Sequence, residues 1–220
     1  ENVKGLAIHD KGKTLKTILN TLDEVGYVVP EPQIVNAMFF GVPQHRERIY
    51  IVGFRKDLGL TAEDFSYPEQ KEVTKKWIDV REENPVPAKY YLSTTYQQTL
   101  IKHKARHAAK GNGFGYDIIP DDGIAHAIVV GGMGRESNLV IDFRQKDLTP
   151  TTNIKGTVNT DGWRKMTPRE WARLQGYPDN FKIVVADASA YKQFGNSVAV
   201  PAIQATATQL LKSLTDKNIL

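Results

Sequence analysis

The sequence contains no cysteine among its 220 residues. That excludes a disulfide framework, a thiolate metal site and a cysteine nucleophile supplied by these residues. No apolar run approaches the roughly 18 residues needed to cross a bilayer, so no membrane span is expected. Net charge is also small: 29 Lys and Arg against 25 Asp and Glu leave +4. So slight an excess points only faintly to an anionic partner, and its placement along the chain matters more. The chain opens Glu1-Asn2-Val3-Lys4-Gly5-Leu6, without an initiator Met or a signal-like start. That opening suggests a piece of a longer protein, or one half of a split one. With 40% apolar and 25% charged residues, the remaining composition is that of a globular protein rather than a disordered one.

Residues 14–25 carry Leu15, Ile18, Leu19, Leu22 and Val25 at helical spacing, with Gly26 as a stop. Tyr27–Val29 reads as a short strand closed by Pro30, a second extended stretch lies near 34–37, and Gly41-Val42-Pro43 turns the chain. Residues 48–54 are apolar at nearly every position, as in a strand buried on both faces. Helix, strand, turn and buried strand predict the second half of an α/β sheet, over 1–79. A second domain, irregular and rich in short β segments, is predicted for 80–162. It begins with a helix at 94–110, holds more than half of the 17 glycines and has strand-like runs at 124–130 and 139–143. Residues 163–220 return to helix. Thr167-Pro168-Arg169-Glu170 is a capping box with Pro at the first helical position, stapled by Met166 and Trp171. A last helix near 200–214 has Val200, Ile203, Leu210, Leu211 and Leu214 on one stripe.

Several residue groups could carry chemistry. Gln44, Arg46 and Arg48 would point to one side of an extended chain, a set of fixed donors suited to a planar polar ligand or a phosphate. The same residues would equally suit a solvated rim. Lys102, Arg106 and Lys110 recur every four residues, followed by Gly111-Asn112-Gly113-Phe114-Gly115-Tyr116. A basic stripe beside a loop of glycines and aromatics suits nucleic acid; a solvated helix end is the alternative. His103 and His107 lack a third ligand in register, so no metal site is expected. Gly195-Asn196-Ser197-Val198, expected just before the last helix, fits an anion site or a simple N-cap.

Four blocks, taken in order, resemble the later motifs of the DNA (cytosine-5) methyltransferases. They are Glu1-Asn2-Val3, the run Gly41 to Arg55 containing Gln44-His45-Arg46-Glu47-Arg48, the run Arg164 to Pro178, and Ala190 to Val198. The resemblance implies the C-terminal part of a Rossmann-like class I methyltransferase sheet, with a target-recognition domain inserted. It also implies a cytosine flipped out of double-stranded DNA and methylated at carbon 5 from S-adenosylmethionine. In that family the Glu matching Glu1 pairs with ring nitrogen 3 and the exocyclic amine, and the arginine matching Arg48 contacts the 2-keto oxygen. Gln44 and Arg46 would support that pocket. Asn196, Ser197 and Val198 match the cofactor motif. Lys102, Arg106, Lys110, Phe114, Tyr116 and Arg135 fall in the recognition region, Arg135 as a candidate reader of guanine. The family's glycine-rich loop and Pro-Cys motif are absent. The expectation is therefore a C-terminal part that needs a missing N-terminal half, in a bacterial cytoplasmic restriction-modification setting. The alternatives are the C-terminal subunit of a split enzyme and a DNA-binding remnant. Without that half, strand 48–54 and the stripe at 200–214 are expected to expose apolar surface.

Overall fold

The computed structural model describes residues 1–150 and 156–220; residues 151–155, within the expected recognition domain, lie outside the described residues. Two compact units divide the chain. The first comprises Glu1–Gly41, Arg46–Val73 and Val198–Leu220, and the second Val42–His45 with Thr74–Ser197. The second unit contains the expected recognition domain of 80–162 and extends beyond it at both ends.

In chain order, the first stretch gives β1 (Asn2–Val3), α1 (Lys13–Glu24), β2 (Tyr27–Val28) and β3 (Gln33–Asn36). Next come β4 (Gln44–His45), β5 (Glu47–Tyr50), β6 (Phe54–Arg55), α2 (Thr94–Ala108) and β7 (Ala125–His126). The chain continues through β8 (Leu139–Ile141), β9 (Trp163–Lys165), α3 (Pro168–Leu174), α4 (Asp187–Asn196) and α5 (Val200–Asp216). Among the described residues, no helix is long and apolar enough to cross a membrane.

In the first unit β5 lies between β1 and β3, antiparallel to both, with Val3 and Val35 each opposite Arg48. β2 and β6 form a separate antiparallel pair. The single strand expected over 48–54 is therefore two strands. The chain leaves β5 after Tyr50 and pairs again at Phe54, opposite Val28. Gly53 sits between the two strands, where a Cβ would lie at ordinary contact distance, 3.4 Å, from the Tyr27 ring. The expected exposure of this segment is also corrected. Ile49, Tyr50, Val52 and Phe54 are all buried, and Val52 and Phe54 share a cluster with Leu60 and Phe65. Leu210 and Leu214 of α5 pack on that cluster, but Leu211 does not. Leu211 is 52% exposed, and the deeply buried positions of α5 are the small Ala202, Thr206 and Ser213. The apolar side chains this unit does expose include Val3, Ile8 and Val25.

The second unit pairs β4 with β7 in parallel and β8 with β9 antiparallel. The strand-like runs expected at 124–130 and 139–143 shorten to β7 and β8, because the flanking residues leave the ladder. Ser93 caps α2, its Oγ accepting from the Tyr96 amide at 3.2 Å. α3 starts at the capping box read from sequence, with Thr167 and Glu170 bonded reciprocally and Met166 and Trp171 both buried.

Arg164 on β9 is fully buried and donates to Asp142 at 3.0 Å and to both oxygens of Glu170 at 2.8 Å. Burial alone would lower its pKa, but the bonds and fields of Glu170 and Asp142 outweigh that and hold it above the ordinary value. Asp142 also accepts from Arg144 at 2.7 and 2.9 Å. Burial would raise its carboxyl; Arg144 and Arg164 prevail and keep it well below the usual carboxylate range. The stability this adds is complete above the unfolded carboxylate value of about 4 and is lost as pH falls below it. Breaking a buried pair by removing one partner strands the other charge. Arg164→Met is expected to cost about 3–5 kcal/mol in urea unfolding; a loss below about 1 kcal/mol would place the network among the weak surface pairs.

Candidate functional site

Strand alternation and cross-strand register assemble the first group. Val3 lies opposite Arg48, so Glu1, Val3, Arg48 and Tyr50 belong to one face of the β1–β5 pair. Arg48 Nε reaches Glu1 Oε2 at 3.5 Å, with both side chains about 15% exposed. Arg48 also donates to the Glu47 carbonyl at 2.8 Å, which limits its swing. Arg46 precedes β5 and is buried, its backbone amide donating to Asn36 Oδ1 at 3.1 Å. Burial, and then the neighbouring Arg48 cation, lower the Arg46 pKa to about 10, against the opposing pull of Glu1 and Tyr50. Tyr50, which the sequence motifs did not single out as functional, joins the group. Burial and then the Glu1 carboxylate push its hydroxyl up to about 12. One carboxyl and two guanidiniums thus share a sheltered face. Such a group can offer a proton carrier and fixed cations to adjacent atoms of a planar ring.

The expected one-sided run of Gln44, Arg46 and Arg48 is interrupted. Gln44 belongs to β4 and the second unit, whereas Arg46 lies between strands and Arg48 on β5, in the first. Gln44 is fully buried. Its Nε2 donates to the Leu174 carbonyl at 2.8 Å and to Gln175 Oε1 at 3.1 Å, and its Oε1 accepts from the Ile128 amide at 3.0 Å. Its amide is spent on holding protein, not ligand. Gln175 is also fully buried, and nothing in its sequence position beyond its place after α3 marks it as a partner.

Asn196 and Ser197 do not precede the last helix as a cap. Asn196 closes α4, and Ser197 follows it, its Oγ donating to the Phe194 carbonyl at 2.8 Å. α5 starts later, at Val200, with Ala199 as its uncapped N-cap residue. Asn196 is exposed, and no hydrogen bond among the described residues engages its amide. An amide with free donors and acceptor at the end of a helix fits the polar amino-acid end of a nucleoside cofactor. Val198 is partly buried and opens the last segment of the first unit.

Within residues 80–162, Lys102 and Arg106 are exposed on α2, while Lys110 lies two residues past its end. The stripe of three is therefore a helix pair plus a turn residue. Phe114 is 71% exposed and offers a ring to solvent. Tyr116 does not: its ring packs on Trp163 at 4.8 Å, and Lys104 Nζ lies 4.6 Å from its centroid. The His103 and His107 rings lie 4.4 Å apart, tilted at 45°, and no group of three metal-ligating residues occurs among the described residues. Arg135 is exposed, its guanidinium 5.3 Å from the Tyr191 ring centroid. It lines a cleft of about 580 Å³ with Lys89, Tyr90, Lys165, Asp187 and Tyr191. Lys89 pairs with Asp187 at 2.7 Å and Lys165 with Glu136 at 2.9 Å, which leaves Arg135, among the described residues, as the wall's cation without a carboxylate.

The C-5 cytosine-specific DNA methylase family matches residues 1–212. The type II methyltransferase M.HpaII of Haemophilus parainfluenzae is 70% identical over 215 residues, covering 97% of this chain and 60% of the relative. The type II methyltransferase M.SsoII of Shigella sonnei is 40% identical, over 97% of this chain and 52% of its own. The chain thus spans little more than half the length of these curated relatives. Among solved structures, the S. pombe Dnmt2 methyltransferase superposes with a TM-score of 0.66 at 19% identity, covering 97% of this chain and 66% of its own. That likeness establishes the fold as the mixed α/β architecture of the class I methyltransferases. The chain belongs to the C-5 cytosine-specific DNA methylase family.

Proposed function

We propose that this chain is the base-pocket and recognition part of a DNA cytosine-5 methyltransferase of the restriction-modification kind, acting on double-stranded DNA in a bacterial cell. The observation that carries the reading is the pairing of Glu1 with Arg48 at 3.5 Å beside Arg46 and Tyr50. When a thiolate adds to carbon 6 of a flipped cytosine, negative charge builds toward nitrogen 3 and the 2-keto oxygen. Glu1 would hold the proton shared with nitrogen 3 and accept from the exocyclic amine. Arg48, fixed through the Glu47 carbonyl, would stabilise charge at the 2-keto oxygen. Arg46 would keep the face electropositive without touching the base. S-adenosylmethionine supplies the methyl group, and Asn196 with Ser197 and Val198 would hold its amino-acid end.

The thiolate itself cannot come from these residues, since the chain has no cysteine. It would come from the N-terminal portion that the curated relatives possess. The region 80–162 would choose the site, through Arg135 and the turn before it, while Lys102, Arg106 and Phe114 hold the duplex.

In the full-length protein, Arg48→Ala and Glu1→Gln are expected to slow single-turnover methylation by about 2–4 kcal/mol of transition-state stabilisation while leaving duplex affinity nearly intact. Rates close to those of the unaltered protein would remove both residues from the pocket. Neutralising Lys102, Arg106 and Lys110 is expected to weaken binding to all duplexes. It should also flatten the salt dependence by about 0.9 for each phosphate no longer neutralised. An unchanged slope in binding titrations would make them a solvated surface.

A further inference from the structure

Two buried glutamines link parts of the second unit that the functional reading assigns to different ligands. The Ile128 amide donates to Gln44 Oε1 at 3.0 Å, and Gln44 Nε2 donates to Gln175 Oε1 at 3.1 Å. Gln175 Nε2 then donates to the Phe194 carbonyl at 2.8 Å and to the Ser197 carbonyl at 3.1 Å. Both amides are fully buried. Flipping either would set donor against donor and strand buried polar groups, so the two orientations are locked together. One end of this relay is the root of the glycine turn at 131–134 that carries Arg135. The other end is the last turn of α4, which carries Asn196.

A second contact joins the same two places. A Cβ at Gly195 would stand 2.7 Å from Val130 Cγ2 and 3.2 Å from the Val130 amide nitrogen. Only a glycine lets the loop root lie on the end of α4. Well-packed interiors transmit displacement instead of absorbing it, so movement at 195–197 must carry to 128–130. We infer that Gln44, Gln175 and Gly195 are positioning residues that couple the recognition turn to the cofactor-holding end of α4. The ligand at one end would then raise affinity at the other, and by the same factor in both directions. This rests on the functional reading above, which assigns DNA to one end and the cofactor to the other.

The test uses the full-length protein and a duplex bearing its methylation site, located beforehand by bisulfite sequencing. Duplex affinity is titrated with and without saturating S-adenosylhomocysteine, and the ratio of the two Kd values is the coupling factor. The unaltered protein is expected to show a factor of about 5 or more. Gln175→Met and Gln44→Met should bring it to within about twofold of unity. Gly195→Ala should lower it too, and Val130→Ala in that background should restore it by removing the methyl that clashes. Should a glutamine variant fail to fold, the Gly195 and Val130 pair carries the test by itself. A purely structural role would lower the melting temperature and leave the ratio alone. An unaltered ratio in folded variants, or a ratio of one in the unaltered protein, overturns the coupling while both ligands still bind. Failure of the unaltered protein to bind either ligand overturns the functional reading, and the coupling with it.

Discussion

The second unit depends on one buried cation. Arg164 could not remain charged away from water without Asp142 and Glu170; Glu170 depends on it in return, and Asp142 shares it with Arg144. The three come from β9, from the residue after β8, and from α3. Their mutual need therefore binds the strand pair to the helix. Glu170 serves twice, since the same carboxylate closes the capping box that starts α3. What α3 fixes at its start it delivers at its end, where the Leu174 carbonyl and the Gln175 amide receive Gln44. The segment before the 131–134 turn and the end of α4 are then held from one point.

The first unit solves a different electrostatic problem. Arg46 and Arg48 repel each other on a sheltered face, and the cost adds to that of burial in the lowered pKa of Arg46. Glu1 opposes that repulsion, pairing with Arg48 and pulling the Arg46 pKa upward. An electron-rich ring edge, with a keto oxygen next to a ring nitrogen, is the kind of neutral ligand that such a face favours once charge develops on it. The modest net charge of the whole chain conceals this, because the charge is local.

How much was legible in the sequence depended on how local the cause was. α1 and α5 carry apolar periodicity within themselves, α2 and α3 also carry side-chain caps at Ser93 and Thr167, and the Thr167–Glu170 box was readable to the residue. α4 was not foreseen: Ala186 before it makes no side-chain cap, and its buried positions are only Ala190, Tyr191, Phe194 and Gly195. That omission misplaced Asn196 and Ser197 ahead of α5. The break in 48–54 left a single local mark, Gly53, which lies beside Tyr27 and Val29 across the sheet. Phe114 and Tyr116 look alike in sequence; Trp163, far along the chain, packs on Tyr116 and separates the exposed ring from the covered one. Gln44 sat in a recognised motif, yet its partners at 128, 174 and 175 follow from the fold alone. The ordered motifs disclosed the family; the division of labour among their residues required coordinates.

The central claim is that these residues bind and activate a cytosine that a thiol from elsewhere in the protein attacks. Transfer of labelled methyl from S-adenosylmethionine to duplex DNA, by this chain alone and by the full-length protein, tests it most directly. The account predicts label on carbon 5 of cytosine at one short site from the full-length protein and none from the cysteine-free chain. Methylation by the chain alone, or label on any other atom, would contradict it.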